Sequence, residues 1–325
     1  MNSIIICTFN RSSMLEESVR SFLNCQADGI DYELLIIDNN STDGTREISE
    51  LFAKQNPRIR YGFEPLQNLC HARNRGIRES RGEILAFVDD DVYFSQGWLK
   101  ALVSTFERSE DVACIGGKVV PHFEADRTPW IDDDVLWVYG VTRYGDREKE
   151  IRPPEVPIGC NMAFRREVFE QIGGFRPSLG REGVSLQSGD ERDLILRAEK
   201  AGLRTLYSPD AQVSHRIPPV RTTRHWIMKR LYWEGITDIV LRQVSDSPLS
   251  RAILTKQAIK TFLGLLRRWK DTPGLLKARN GRDGGPIKIQ LDLCYKLGML
   301  RQVIAELFPV SGGNAVNGGG RGIDK

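Results

Sequence analysis

The feature that most limits how this chain can fold is the decapeptide Glu83–Val92, EILAFVDDDV. Five apolar residues, Ile84 to Val88, run without a polar break into Asp89, Asp90 and Asp91. A short continuous apolar run, partly β-branched and aromatic, fits a strand buried on both faces of a parallel sheet. Three carboxylates at its C-terminal end then stand at the sheet rim, where open α/β folds bind their ligands. Carboxylates this close raise one another's pKa, and a hard divalent cation such as Mg²⁺ or Mn²⁺ relieves the repulsion. A solvated acidic turn is the competing explanation of the triplet.

The flanking segments repeat the theme. Ser3 to Thr8 predicts a first buried strand ending in Phe9-Asn10-Arg11, followed by a helix with Leu15, Val19, Phe22 and Leu23 on one face and Ser12 or Ser13 as N-cap. Tyr32 to Ile37 predicts a second strand, closed by the polar octet Asp38–Thr45, and Ile48, Leu51 and Phe52 put a core-facing helix behind it. Arg58 to Phe63 reads as a third strand and Asn68 to Glu79 as a helix stopped near Gly82. After the acidic strand come a helix marked by Trp98, Leu99, Leu102, Val103 and Phe106 and a strand over Val112–Val120. Such alternation predicts a mostly parallel, doubly wound α/β sheet flanked by helices.

Pro121 to Pro157, rich in Pro, Asp and Arg, reads as an excursion outside the core. Gly159–Phe164 predicts a strand, Arg166–Ile172 a helix stopped at Gly173-Gly174, and Leu194, Ile195 and Ala198 a helix after Gly189 that ends at Gly202. From Pro219 the pattern turns helical and basic, and 311–325 is Gly-rich without periodicity, the composition of a disordered tail.

Charge divides the chain in the same place. Residues 216–310 carry 18 Lys and Arg against 7 Asp and Glu, or +11, whereas 1–215 sum to −9. We therefore divide the chain into a catalytic region 1–215, a basic helical region 216–310 and the tail. The six cysteines show no CxxC or zinc spacing and read as idle thiols of a reducing cytoplasm. The N-terminus lacks a signal-peptide pattern, and no apolar run approaches the roughly 18 residues needed to span a bilayer. Neither GxxxxGK[ST] nor GxGxxG occurs, which argues against a P-loop NTPase and a dinucleotide dehydrogenase.

In a parallel sheet the ends of the first, second and fourth strands share one edge. That edge would gather Thr8, Asn10 and Arg11, then Asp38, then Asp89–Asp91. Asp38 can accept the N3–H of a uracil or thymine ring or a ribose hydroxyl. The triplet can hold a metal and the metal a diphosphate, with Arg73 free to pair with phosphate through its fork. TFNR at 8–11, DNNSTDGT at 38–45, ARN at 72–74, DDD at 89–91, GCNMAFRRE at 159–167 and GDERDL at 189–194 follow in order. Together they resemble family 2 glycosyltransferases of GT-A fold over about residues 3 to 215.

That resemblance implies a nucleotide-sugar donor, a divalent cation (Mn²⁺ or Mg²⁺) and inversion at the anomeric carbon. Carried over by position, it puts Thr8 and Asp38 on the nucleobase, with Asn10, Arg11 and Arg73 also on the donor side and Asp90 either there or structural. Asp89 and Asp91 become the DxD pair, Asp89 nearer the ribose and Asp91 on the metal, with His215 a further metal ligand. The general base falls on the acceptor side of the sugar. The family order of its two acids, Glu before Asp, is reversed in Gly189-Asp190-Glu191, so Glu191 takes the base by register, with Asp190 able to compensate. Asp193 reads as a structural cap favoured by the helix dipole, and Gly159 and Asn161 line the acceptor side. Trp98 belongs to the core, while Trp130 and Trp137 are candidates to stack on an acceptor sugar.

UDP or dTDP sugars are the expected donors and a glycan or lipid-linked saccharide the expected acceptor. The basic helices have two readings, an appendage closing the active site or an anionic membrane anchor within 250–310 that makes the protein peripheral on the inner face of the cell membrane. A nucleic-acid partner is not expected, since the aromatic-interleaved basic surface of such binders is absent. The rivals are a nucleotidyltransferase, which would need a basic fingerprint loop where TFNRSS stands, and a non-catalytic sugar-nucleotide binder, which would be expected to have lost the base or the DxD.

Overall fold

The computed structural model describes residues 1–25, 27, 29–183, 185–245, 247–269 and 285–309. The segment read above as a disordered tail, 311–325, lies outside them. In chain order the elements are β1 (Asn2–Thr8), α1 (Ser12–Leu23), β2 (Tyr32–Asp38), α2 (Thr45–Gln55), β3 (Ile59–Phe63), α3 (Leu69–Glu79), β4 (Ile84–Asp89) and β5 (Val92–Phe94). There follow α4 (Trp98–Arg108), β6 (Val112–Phe123), β7 (Lys149–Glu150), β8 (Asn161–Arg165), α5 (Arg166–Ile172), α6 (Asp190–Lys200) and β9 (Arg204–Ile217). The last elements among the described residues are the helices α7 (Arg224–Val244), α8 (Arg251–Trp269) and α9 (Gly285–Leu307).

The sheet runs in the order β3-β2-β1-β4-β8-β6-β9-β5, with β7 added beside β9. Strands β1 to β4 are mutually parallel, and Thr8 pairs with Asp38 and Cys7 with Asp89 across the register. Their apolar runs serve two layers because successive side chains point to opposite faces. Ile4, Ile6, Leu34, Ile36, Ala86 and Val88 join one core with α1 and α4, and Ile5, Leu35, Ile37, Leu85 and Phe87 join the other with α3, α5 and α6. Burial on both faces is what makes these strands unbroken apolar runs.

The mostly parallel α/β sheet expected from the alternation is present, with β8 inserted antiparallel between β4 and β6. Several finer expectations are corrected. The short β5 and β7, only three and two residues long, both pair with β9. Neither Ser12 nor Ser13 caps α1, whose N-cap is Arg11 without a side-chain bond. Leu23 and Leu51 face solvent. The excursion is not outside the core: Ile131, Val135, Leu136, Val138, Tyr139 and Val141 are buried against Ile217 of β9, Ile227 and Leu231 of α7 and Leu291 of α9. Strand β9 also crosses residue 215 without a break, so the basic region is rooted in the sheet.

Helices α7 and α9 approach backbone to backbone. A Cβ on Gly235 would collide with the Tyr295 carbonyl, and one on Gly298 with the Tyr232 carbonyl. Two glycines at one crossing allow that approach, and it fixes the face of α7 that looks into the cleft.

Candidate active site

Two adjoining cavities of about 210 Å³ each open at the C-terminal ends of β1 and β4. Arg11, Leu69, Asp89 and Arg181 line both and form the seam between them. The first chamber holds Thr8, Phe9, Asn39, Gln67 and Asp90. The second holds Asp91 and His215 on one side and Asp190 and Glu191 on another, with Trp137, Arg221, Trp226 and Arg230 among its walls.

The carboxylate triplet splits into three environments. Asp89 ends β4 half-exposed at the seam, 3.4 Å from an Arg73 nitrogen. Asp90 is buried, accepting from Thr8 Oγ1 at 2.7 Å and from Arg11 at 2.8 Å. Burial, opposed by Arg11 and reinforced by Asp91, raises its pKa. Asp91 is also buried, and its Oδ2 accepts from Arg11 at 3.1 Å and Arg221 at 3.0 Å. Burial works against its charge, but His215 and Arg221 outweigh it and hold the carboxyl well below the usual range.

Asp91 Oδ1 is buried with no hydrogen-bond donor and lies 3.3 Å from His215 Nε2. His215 Nδ1 is 2.6 Å from the Tyr139 carbonyl, which can only accept, so Nδ1 carries a hydrogen. Nε2 is thereby turned toward Asp91, the arrangement in which a backbone carbonyl orients a ligating imidazole. Asp91 pairs with His215 when the imidazole is protonated, and burial, outweighed by Asp91, leaves the His215 pKa raised. A divalent cation could take the place of that proton between Asp91 Oδ1 and His215 Nε2. Among the described residues no group of three or more His, Cys, Asp or Glu side chains could hold a metal alone. A Mg²⁺- or Mn²⁺-like ion there would take its remaining ligands from water and substrate phosphates, as such ions usually do.

Across the chamber, Gly189 in the left-handed region (φ 108°) turns the chain into α6, whose first two residues are Asp190 and Glu191. Asp190 is buried and paired with Arg73, which also donates to the Gly159 carbonyl at 3.0 Å and lies over the Phe175 ring. Burial disfavours the Asp190 anion, yet Arg73 and a hydrogen bond with Glu191 leave its pKa lowered. Glu191 is half-buried on the cavity wall. Burial and the neighbouring Asp190 push it up to about 8. Adjacent acids with divergent pKa values are a mark of assigned acid–base roles.

Other residues singled out from sequence fall elsewhere. Asp38 is buried beneath the first chamber, accepting from Ser41 N at 2.8 Å and Tyr61 Oη at 3.1 Å, and is not on the cavity wall. Asn10 is exposed and turned away, its Oδ1 accepting from Thr42 N, so it braces the 38–45 loop. Arg73 has its charge satisfied by Asp190 and Asp89, so it is not free for phosphate. Asn161 does not reach the acceptor side: it accepts from Trp98 Nε1 and donates to the Lys118 and Ala211 carbonyls, a bracket inside the core. Gly159 does line the chamber, where a Cβ would press on Arg73 at 2.9 Å. Asp193 pairs with Arg176 and Arg197 within the structure. Trp137 is 48% exposed at the cavity wall, while Trp130 packs on the core under Arg224. Arg181 and Gln67 drew no notice in the sequence, because a lone polar residue in a loop has no spacing to mark it.

The model of the family described as glycosyl transferase family 2 matches residues 3–173. The chain therefore belongs to that family, and it is a glycosyltransferase. It is 26% identical over 253 residues to a glucosyl-dolichyl phosphate glucuronosyltransferase of Haloferax volcanii, covering 75% of this chain and 79% of the relative. It is 28% identical over 241 residues to the succinoglycan biosynthesis protein ExoM of Rhizobium meliloti, covering 71% and 72%. In fold it resembles a mannosyltransferase from Pyrobaculum calidifontis solved with GDP-Man and Mn²⁺ (TM-score 0.61, 18% identity, 94% and 87% covered). The fold is GT-A.

Proposed function

We propose that this glycosyltransferase moves a sugar from a nucleoside-diphosphate donor to a glycan or lipid-linked hydroxyl, with inversion and with help from a divalent cation. One observation carries the reading: Asp91 and His215 share a single cavity with Glu191, so leaving-group stabilisation and proton removal can act on one substrate. The nucleoside belongs in the first chamber, the diphosphate across the seam and the sugar before Glu191. Glu191, as carboxylate, takes the proton of the acceptor hydroxyl while its oxygen bonds the anomeric carbon. The bond from that carbon to the diphosphate breaks, and its electron pair leaves with the nucleoside diphosphate. A raised pKa suits this role, since a base near the working pH combines availability with driving force. Arg73 keeps Asp190 ionised and therefore keeps the proton on its neighbour's side of the pair. A cation bound at Asp91 and His215 would supply electrostatic stabilisation of the leaving diphosphate.

Gln67 lines the first chamber and has no side-chain hydrogen bond among the described residues, so its amide donor and acceptor are available to a ligand there. That pairing matches the N3–H and carbonyl edge of uracil or thymine, which supports UDP or dTDP. The relatives' names support a lipid-linked or polysaccharide acceptor. No helix among the described residues is long and apolar enough to cross a membrane; the basic, apolar outer face of α8 supports peripheral attachment at the inner leaflet. The deciding experiment is Glu191→Gln. It should keep nucleoside-diphosphate affinity and lose transfer by on the order of a hundredfold to ten-thousandfold, and near-normal turnover would move the base elsewhere.

A further inference from the structure

Among the described residues six arginines line the second chamber, and five of them are ion-paired. Arg11 is paired with Asp90 and Asp91, Arg73 with Asp89 and Asp190, and Arg221 with Asp91. Arg192 is held by Glu234 and Asp238, and Arg230 by Glu234. Arg181 differs: its Nε donates to the Gln187 carbonyl at 3.3 Å, and it has no ion pair among the described residues. Its side chain nevertheless faces inward, lining both chambers at the seam. The backbone beneath it is fixed, for the Leu69 amide at the start of α3 donates to the Arg181 carbonyl at 3.1 Å, and Gly180 packs too tightly on Asn68 to admit a Cβ. The residue is exposed to solvent where it borders the two chambers; desolvation and the nearby guanidinium of Arg230 lower its pKa, and Asp89 at the same seam acts the other way. Asp89 is near but makes no ion pair with it, so the guanidinium has N–H groups left for a further anion, and a planar fork suits a phosphate.

We propose that Arg181 binds the diphosphate of the donor at the seam and neutralises the charge that gathers there as the sugar departs. The inference rests on the donor reading above and adds to it the residue that grips the leaving group. When the sugar–oxygen bond breaks, its electron pair becomes one further negative charge on the terminal phosphate, and the Arg181 N–H groups donate to oxygens that are then more basic. The contact strengthens toward the transition state, so it raises turnover as well as binding. An acceptor phosphate is the poorer candidate, because Arg181 also lines the chamber remote from Glu191.

The test compares wild type, Arg181→Ala and Arg181→Lys by calorimetric titration with uridine, UMP and UDP, and with the guanosine series in parallel, each with Mn²⁺. In Arg181→Ala the affinity for the diphosphate should fall on the order of tenfold to a hundredfold, while nucleoside affinity is unchanged and kcat falls. Arg181→Lys should lie between, keeping the charge but losing the fork. Equal loss for nucleoside and diphosphate, or an unaltered diphosphate affinity, overturns the inference alone. A wild-type enzyme that binds no nucleoside diphosphate overturns the donor reading and this inference with it.

Discussion

Arg73 and Asp190, 117 residues apart in sequence, meet as a buried ion pair on the wall of the cleft. Asp190 is thereby committed as an anion, while the adjacent Glu191 holds its proton to higher pH and faces the cavity. Removing one partner of such a pair strands the other charge away from water, at a cost of about 3–5 kcal/mol. Arg73→Ala should lower the free energy of chemical unfolding by about that amount. It should also depress transfer, because the Asp190 anion that Arg73 holds adjoins Glu191. Arg73→Lys should recover part of the stability, since a single ammonium cannot bridge Asp190, Asp89 and the Gly159 carbonyl at once.

The same pair sets a pH dependence. Glu191 in its proposed role would act as base only when deprotonated, so kcat/KM should rise with pH through the Glu191 value of about 8. Burial and the Asp190 anion both push that value up. Asp190→Asn removes the second cause, so Glu191 ionises at lower pH and the rising limb should move to the acid side by about one unit. A limb that stays in place would show that Asp190 does not govern the base.

Asp91 and His215 lead to a metal-dependence prediction. Asp91→Asn keeps the shape of the side chain and removes the charge opposite His215, Arg11 and Arg221. Nucleoside-diphosphate affinity should be little changed without metal, and the gain that Mn²⁺ gives the wild type should disappear in titrations run side by side. A gain that persists in the variant would take Asp91 out of the cation site.

The sheet was legible because strands covered on both faces write themselves as unbroken apolar runs, as Ile4–Ile6, Leu34–Ile37 and Ile84–Val88 do. Their parallel register then brought Thr8, Asp38 and Asp89 to one edge. Strand β8 was legible as a strand but not in its place, because its position between β4 and β6 depends on distant partners, including the Asn161 bracket to Trp98 and Ala211. The excursion misled by composition: its charged residues stand outside while Val135, Leu136 and Tyr139 turn inward against α7. Side-chain direction was the part least available. Asp38 and Asn161 occupy the expected strand ends, yet both spend their hydrogen bonds on the protein itself.

The outer face of α8 gives the last prediction. Ile259, Phe262, Leu263 and Leu266 are each about half-exposed. At helical spacing they fall within about 100° of arc, and Lys256, Lys260 and Arg267 flank one side of it. The sequence of α8 contains no acidic residue. An apolar stripe bordered by cations fits the headgroup boundary of an anionic bilayer. A second copy fits less well, because it would bring two such basic borders together. The protein should sediment with vesicles containing phosphatidylglycerol and not with pure phosphatidylcholine. The Lys256→Glu, Lys260→Glu, Arg267→Glu variant should lose most of that binding, since each basic residue near the surface contributes about 1 kcal/mol. Phe262→Ser with Leu266→Ser should weaken it by removing buried apolar area. Transfer to a water-soluble acceptor should survive in both, as none of these residues lines the catalytic cleft. Wild-type protein that stays in the supernatant with anionic vesicles, or that dimerises through this face in sedimentation equilibrium, would rule the bilayer out as the occupant.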